Sequence, residues 1–134
     1  LKRIVPETTI SILKNRKLEI RSSGRQRRDY IYVLDVCRAY YQVYKHLLKS
    51  KKNLLIYNTG SKYNLSALEL IEKIYNILKV KKNYIIKNSS KAEINNQRLG
   101  YKKIVKEIGW KPICTLDYGL KKTIDWYKKN INLF

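Results

Sequence analysis

The sequence predicts a mixed fold of helices and short strands, in the α/β or α+β class. Three observations carry that prediction. Apolar residues recur at helical spacing after Asp35, after Ser66 and after Thr115. β-Branched and aromatic residues gather in short runs, Tyr30–Val33, Leu54–Asn58 and Tyr84–Ile86. Turn-forming residues punctuate these stretches at Ser22-Ser23-Gly24, Thr59-Gly60 and Gly109 to Pro112. A helical period gives one apolar face every 3.6 residues and a strand alternates every two, so the two kinds of stretch are distinguishable by pattern.

Each element has its own justification. Pro6 fits the first turn of a helix running to about Asn15, with Ile10 and Leu13 inward and Lys14 interrupting the stripe. Lys17 to Arg21 alternates polar and apolar, as a half-buried strand does, and Tyr30 to Val33 suits a second short extended segment. Asp35 opens a helix ending near Ser50, whose Val36, Tyr40, Val43, Tyr44 and Leu47 form a stripe that has to be buried against something. Leu54 to Asn58 reads as a strand buried on both faces, ending at Thr59-Gly60. Ser66-Ala67-Leu68-Glu69 is a capping box, with Leu65 and Leu70 placed for a hydrophobic staple, so a helix is expected over Ala67 to Lys79. After the strand at Tyr84–Ile86, Ile104, Val105 and Ile108 mark a short helix that Gly109 stops and Pro112 prevents from continuing. Thr115 caps a last helix with Leu116, Leu120, Ile124 and Tyr127 on one face.

Composition bounds the function. The chain has 134 residues, 44% of them hydrophobic, with five Gly and two Pro, which excludes a disordered or low-complexity segment. Two Cys and one His support neither a disulfide framework nor a four-ligand zinc site, and a reducing, cytoplasmic setting is the simpler expectation. Apolar runs such as Leu54-Leu55-Ile56-Tyr57 fall far short of the roughly 20 residues that span a bilayer. A chain opening at Leu1 inside an amphipathic pattern is expected to be a fragment. Thirty Lys+Arg against ten Asp+Glu give a formal charge of +20, which attracts nucleic acid or phosphorylated ligands. Because the basic residues form no single stripe, a solvated basic surface is the first reading and a small basic nucleic-acid-binding module the alternative.

Motifs for catalysis are missing. The glycines never take the spacing of a dinucleotide fingerprint or a phosphate loop. Tyr-x-x-x-Lys occurs at Tyr41/Lys45, Tyr75/Lys79 and Tyr118/Lys122, all on predicted surface-forming helices rather than beside a cofactor strand. No catalytic residue and no metal ligand is assigned.

The informative stretch is Arg25-Gln26-Arg27-Arg28-Asp29-Tyr30-Ile31-Tyr32-Val33-x-Asp35. It resembles the Arg-Asp-Tyr/Trp-(x)2-Val-x-Asp signature of the extended short-chain dehydrogenases/reductases that act on nucleotide sugars. Further pieces of that family's pattern follow in order: Arg3-Ile4-Val5-Pro6, Tyr57-Asn58-Thr59-Gly60, the helix at Leu65 to Leu70, Ile108-Gly109-Trp110-Lys111-Pro112, and Thr115-Leu116 with Gly119-Leu120 through Trp126. The resemblance covers nearly the whole chain. It implies the carboxy-terminal portion of an extended Rossmann-type enzyme, residues 1–134 forming a nucleotide-sugar-binding region without the amino-terminal dinucleotide-binding core. The full enzyme would use tightly held NAD or NADP to oxidise the sugar at C4, with elimination or epimerisation following; this portion would bind neither cofactor alone and would be inactive. The partners implied are a nucleotide-diphosphate sugar, the amino-terminal cofactor domain and, at full length, a second copy in a homodimer.

By the same resemblance, Arg28 contacts the nucleotide diphosphate through charge-assisted hydrogen bonds, the alternative being a structural pair with Asp29 or Asp35. Asp29 is expected to hold the turn. Arg3, Ile4 and Val5 line the base or sugar pocket, unless they only start the helix at Pro6. Asn58 contacts the ligand or bonds its own turn. Glu93-Ile94-Asn95-Asn96-Gln97-Arg98 departs from the epimerase pattern Arg-x-Gly-Asp and looks more like the Glu-Ile-x-x-Gln stretch of dehydratase-like members, including those for CDP-glucose. Arg98 is a candidate second phosphate contact.

Overall fold

Helix α1 (Ile4–Leu13) starts two residues before Pro6, which costs nothing because the first four amides of a helix have no intrahelical acceptor. A computed structural model describes residues 3–90 and 93–134. The elements that follow are β1 (Leu18–Ile20), β2 (Arg27–Asp29), α2 (Val33–Lys49), β3 (Asn64–Ser66), α3 (Ala67–Leu78), β4 (Tyr84–Ile86), α4 (Lys102–Ile108) and α5 (Leu116–Lys129), with a final 3-10 turn at Ile131–Leu133. Two separate two-stranded sheets form among the described residues. β1 runs parallel to β4 with Leu18 opposite Tyr84, and β2 runs antiparallel to β3 with Arg28 opposite Leu65.

The core is organised by α3. Leu70 and Ile74, one turn apart, join Leu120 and Ile124 of α5, while Ile71 and Tyr75 join Leu18 and Ile20 of β1. Ile4 and Ile12 of α1 pack against both groups, so α1, α3, α5 and β1 share one apolar interior. A third cluster of Ala39, Ile104 and Trp110 joins α2 to α4. The capping box forms as expected: Ser66 Oγ accepts from the Glu69 amide at 3.2 Å, and the Ser66 amide donates to Glu69 Oε2 at 2.6 Å. Gly109 takes a φ of 74° at the end of α4, which a side-chain-bearing residue adopts only under strain. Thr115 Oγ1 accepts from the Tyr118 amide at 3.2 Å and caps α5.

Three expectations need correction. The extended segment lies at Arg27–Asp29, not Tyr30–Val33, because the chain enters α2 at Val33. Its polar residues hid it from a hydrophobic pattern. Residues 54–58 pair with no strand among the described residues, and Leu54 and Ile56 stand 71% and 67% exposed rather than buried. On α2 only Asp35 and Ala39 are fully buried, whereas Tyr40 and Tyr44 of the expected stripe are exposed. This apolar face, with Leu48 beside it, finds no cover among the described residues.

Candidate functional site

Successive side chains of a strand point to opposite faces, and β2 uses this with two arginines. Arg27 turns toward β3 and α3. Its Nε donates to Asn64 Oδ1 at 3.2 Å, its Nη2 to the Asn64 carbonyl at 2.6 Å, and its Nη1 lies 3.0 Å from Glu69 Oε2. Arg28 turns the other way, onto a cavity of about 1130 Å³ between β1, the start of α1 and the 93–97 segment. Arg28 Nη1 donates to the carbonyls of Arg27 at 2.8 Å and Ile94 at 2.7 Å, which fixes the guanidinium at the wall. Its Nη2 faces Glu93 Oε2 at 4.0 Å. Neither Asp29 nor Asp35 pairs with it.

Those two carboxylates hold other parts of the frame. Asp29 Oδ1 accepts from the Ser61 amide at 3.1 Å and hydroxyl at 2.9 Å, and Oδ2 accepts from the Leu99 amide at 3.2 Å. It thereby ties β2 to both flanking loops. Gly60 is required by this approach, since a Cβ there would lie 2.8 Å from the Leu99 carbonyl oxygen and 2.9 Å from Asp29 Oδ2. Asp35 is fully buried and accepts from the amides of Ile113 at 3.0 Å and Cys114 at 2.9 Å and from Arg38 at 2.8 Å. Trp110 Nε1 donates to its carbonyl at 3.1 Å. Burial alone would push the Asp35 carboxyl up, but these hydrogen bonds outweigh it and hold the group below its ordinary value.

Of the residues singled out from the sequence, Arg28, Arg3, Ile4 and Val5 converge on the one cavity. Asn58 and Arg98 do not join them: Asn58 stands exposed on the unpaired 54–58 stretch, and Arg98 lines a separate hollow with Lys102 and Lys106. The Tyr-x-x-x-Lys pairs stay apart from it as well. Tyr75 is buried and donates to the Asn83 carbonyl at 3.0 Å, and Tyr41 and Tyr118 lie under their own lysines on α2 and α5. Sequence reading missed Arg16, Lys17 and Arg21 as wall residues. The signal was present: Leu18 and Ile20 are buried, so the alternation of β1 puts Lys17, Glu19 and Arg21 on its other face.

The cavity wall is mainly cationic. Five cationic side chains on its wall oppose three carboxylates, and the N-terminal end of α1, where the helix dipole is positive, opens on it. Tyr30 sits on the same wall; burial pushes its phenol up, and the neighbouring Arg28 charge partly opposes that. Among the described residues no group of three His, Cys, Asp or Glu gathers to hold a metal ion. No described helix is long and apolar enough to cross a membrane.

Residues 1–60 match the model of the NAD dependent epimerase/dehydratase family. The chain is 30% identical to the dTDP-D-glucose 4,6-dehydratase of Mus musculus over 136 residues, which is 97% of this chain and 37% of that protein. Its fold superposes on UDP-glucose 4-epimerase from Thermotoga maritima, solved with UDP-glucose, with a TM-score of 0.85 and 26% identity, covering 96% of this chain and 40% of that one. It also superposes on dTDP-glucose 4,6-dehydratase from Bacillus anthracis, solved with NAD, with a TM-score of 0.80 and 25% identity over 98% and 40% of the respective chains. The chain spans about two fifths of the length of these relatives.

Proposed function

We propose that this chain belongs with the nucleotide-sugar dehydratases and epimerases of the extended short-chain dehydrogenase/reductase family, and that residues 1–134 are the nucleotide-sugar-binding region of such an enzyme, with Arg28 gripping the substrate diphosphate. The observation that carries the reading is the placement of Arg28. One nitrogen is anchored by two backbone carbonyls, and the group sits on a large cationic cavity beside Arg3, Ile4 and Val5. A planar guanidinium held this way can donate charge-assisted hydrogen bonds to phosphate without first being ordered.

The residues present do not fit a dinucleotide. None of the glycines has the spacing of a pyrophosphate-binding turn, and the described sheets have only two strands each. We therefore assign NAD or NADP to a cofactor half that this chain meets through the open face of α2 and the unpaired 54–58 stretch. The chain's own part is to bind and orient the sugar nucleotide; the cofactor supplies the hydride chemistry. Between reaction subtypes, the Glu93 to Gln97 sequence favours dehydration over epimerisation, while identity is equal for the two, 30% to a 4,6-dehydratase and 31% to a UDP-glucose 4-epimerase. At full length the enzyme would pair as a homodimer.

Titration with UDP-glucose, dTDP-glucose and CDP-glucose tests the reading, with an RNA and a DNA oligonucleotide as controls. Saturable binding of a sugar nucleotide is expected. Binding of the oligonucleotides alone, weakening steeply with salt, would replace this reading by the basic nucleic-acid module.

A further inference from the structure

Resting on the assignment of the cavity to a nucleotide diphosphate, we propose that Glu93 is a specificity-determining residue, which makes the site prefer a diphosphate esterified at both ends over a free nucleoside diphosphate. The distinction is one of charge. A sugar nucleotide carries one negative charge on each phosphate, whereas the terminal phosphate of a free nucleoside diphosphate ionises again with a pKa of about 6, as phosphate monoesters do.

The cavity wall carries both signs of charge, and the discrimination lies in how they are placed around Arg28 rather than in their sum. Its cations are Arg3, Arg16, Lys17, Arg21 and Arg28. Its carboxylates are Glu7, Glu19 and Glu93. Glu19 is engaged outside this set by Lys87 Nζ at 2.7 Å. Glu93 is the carboxylate set against the proposed phosphate ligand itself, 4.0 Å from Arg28 Nη2, with both side chains 32% exposed and on the same wall.

The backbone that carries Glu93 is anchored beside Arg28. The 93–97 segment is laced to β2 by the Arg27 amide donating to the Asn95 carbonyl at 2.8 Å and the Gln97 amide donating to the Arg27 carbonyl at 3.0 Å. Ile94, its neighbour, accepts from Arg28 itself at 2.7 Å. A phosphate approaching Arg28 thus meets a negative charge beside its partner. One phosphate charge is balanced by the guanidinium; an additional one is repelled. For charges about 6 Å apart at a half-exposed site the repulsion is worth about fivefold in affinity at low salt.

The test compares the wild-type chain with Glu93→Gln, Glu93→Asp and Arg28→Ala in calorimetric titrations with UDP-glucose and UDP, repeated with dTDP-glucose and dTDP. Glu93→Gln should tighten the free diphosphates about fivefold more than the sugar nucleotides. Glu93→Asp should keep the wild-type preference, and 0.5 M salt should erase the difference, which a merely structural role would not do. If Glu93→Gln shifts both ligand types equally or neither, while the wild type binds sugar nucleotides and Arg28→Ala does not, the role of Glu93 falls and the site assignment stands. If the wild type binds none of the four, the site assignment falls and this inference with it.

Discussion

Arg27 and Arg28 are consecutive on one strand and send their guanidinium groups to opposite sides of it, the first into the frame and the second onto the cavity. The same residue type thereby does two jobs that mutation can separate.

For Arg28, truncation to alanine should weaken sugar-nucleotide binding by about 1.5 to 3 kcal/mol, the range for hydrogen bonds to a charged group. The melting temperature should move little, because the side chain bonds only two carbonyls on a half-exposed wall. Calorimetry and thermal denaturation on the same variant decide it. Unchanged affinity would remove Arg28 from the site.

Arg27→Ala should do the reverse. Losing two bonds to Asn64 and a surface ion pair to Glu69 should cost about 1 to 2 kcal/mol of stability, most of it from Asn64 because the Glu69 pair is well solvated. Denaturant unfolding measures it. A tenfold loss of ligand affinity at full stability would mean that the two roles are exchanged.

Asp35 should govern acid stability. Its carboxyl is held below the unfolded value of 3.8, so the stability it contributes is complete above about pH 4 and is lost as pH falls through the lower folded value. Asp35→Ala, which leaves two amides and Arg38 without their acceptor, should cost about 3 kcal/mol at neutral pH. Asp35→Asn should flatten the acid side of the stability curve, which urea titrations from pH 2 to pH 7 would record. An unchanged acid limb would show that other carboxylates set it.

Gly60→Ala should destabilise by about 1 to 3 kcal/mol, because the new Cβ meets the Leu99 carbonyl and Asp29 at contact distances shorter than packing allows. A fully stable variant would show that the loop at Leu99 yields without cost.

Changing Tyr40, Tyr44 and Leu48 to lysine should leave folding stability within about 0.5 kcal/mol while suppressing self-association and dye binding of the isolated chain. Sedimentation velocity reads the outcome. A large loss of stability would mean that this face is packed within the chain.

Much of the fold was legible in the sequence, for reasons that can be located. The Ser66 and Glu69 box, the Thr115 cap and the Gly109 stop are local chemistry, complete within a few residues, and each stands where it was expected. The extent of α3 was legible from its cap, but its faces were not: Tyr75, expected on a surface-forming helix, is buried with Ile71 against β1. What failed was anything set by distant partners. β2 is a strand because Asn64–Ser66 lies beside it, and its Arg-Arg-Asp sequence has no apolar alternation to announce that. Leu54–Asn58 has strand-like residues but no ladder partner among the described residues.

The site divided the same way. Arg28 was reachable because a resemblance singled it out, and Lys17 and Arg21 were implicit in the alternation of β1. Glu93 was not, since its meaning depends on a contact 65 residues away in sequence with Arg28. The Asp35 cluster was equally hidden: Ile113 and Cys114 give it backbone amides, which carry no side-chain signal at all.

The parallel pairing of β1 with β4 matches Leu18 to Tyr84, so the first strand has no ladder until 66 more residues have been synthesised. Loop closure over that span slows folding, and the β1 ladder forms only once β4 has emerged. The β1 edge of the cavity is thus completed by a strand that comes much later in the chain.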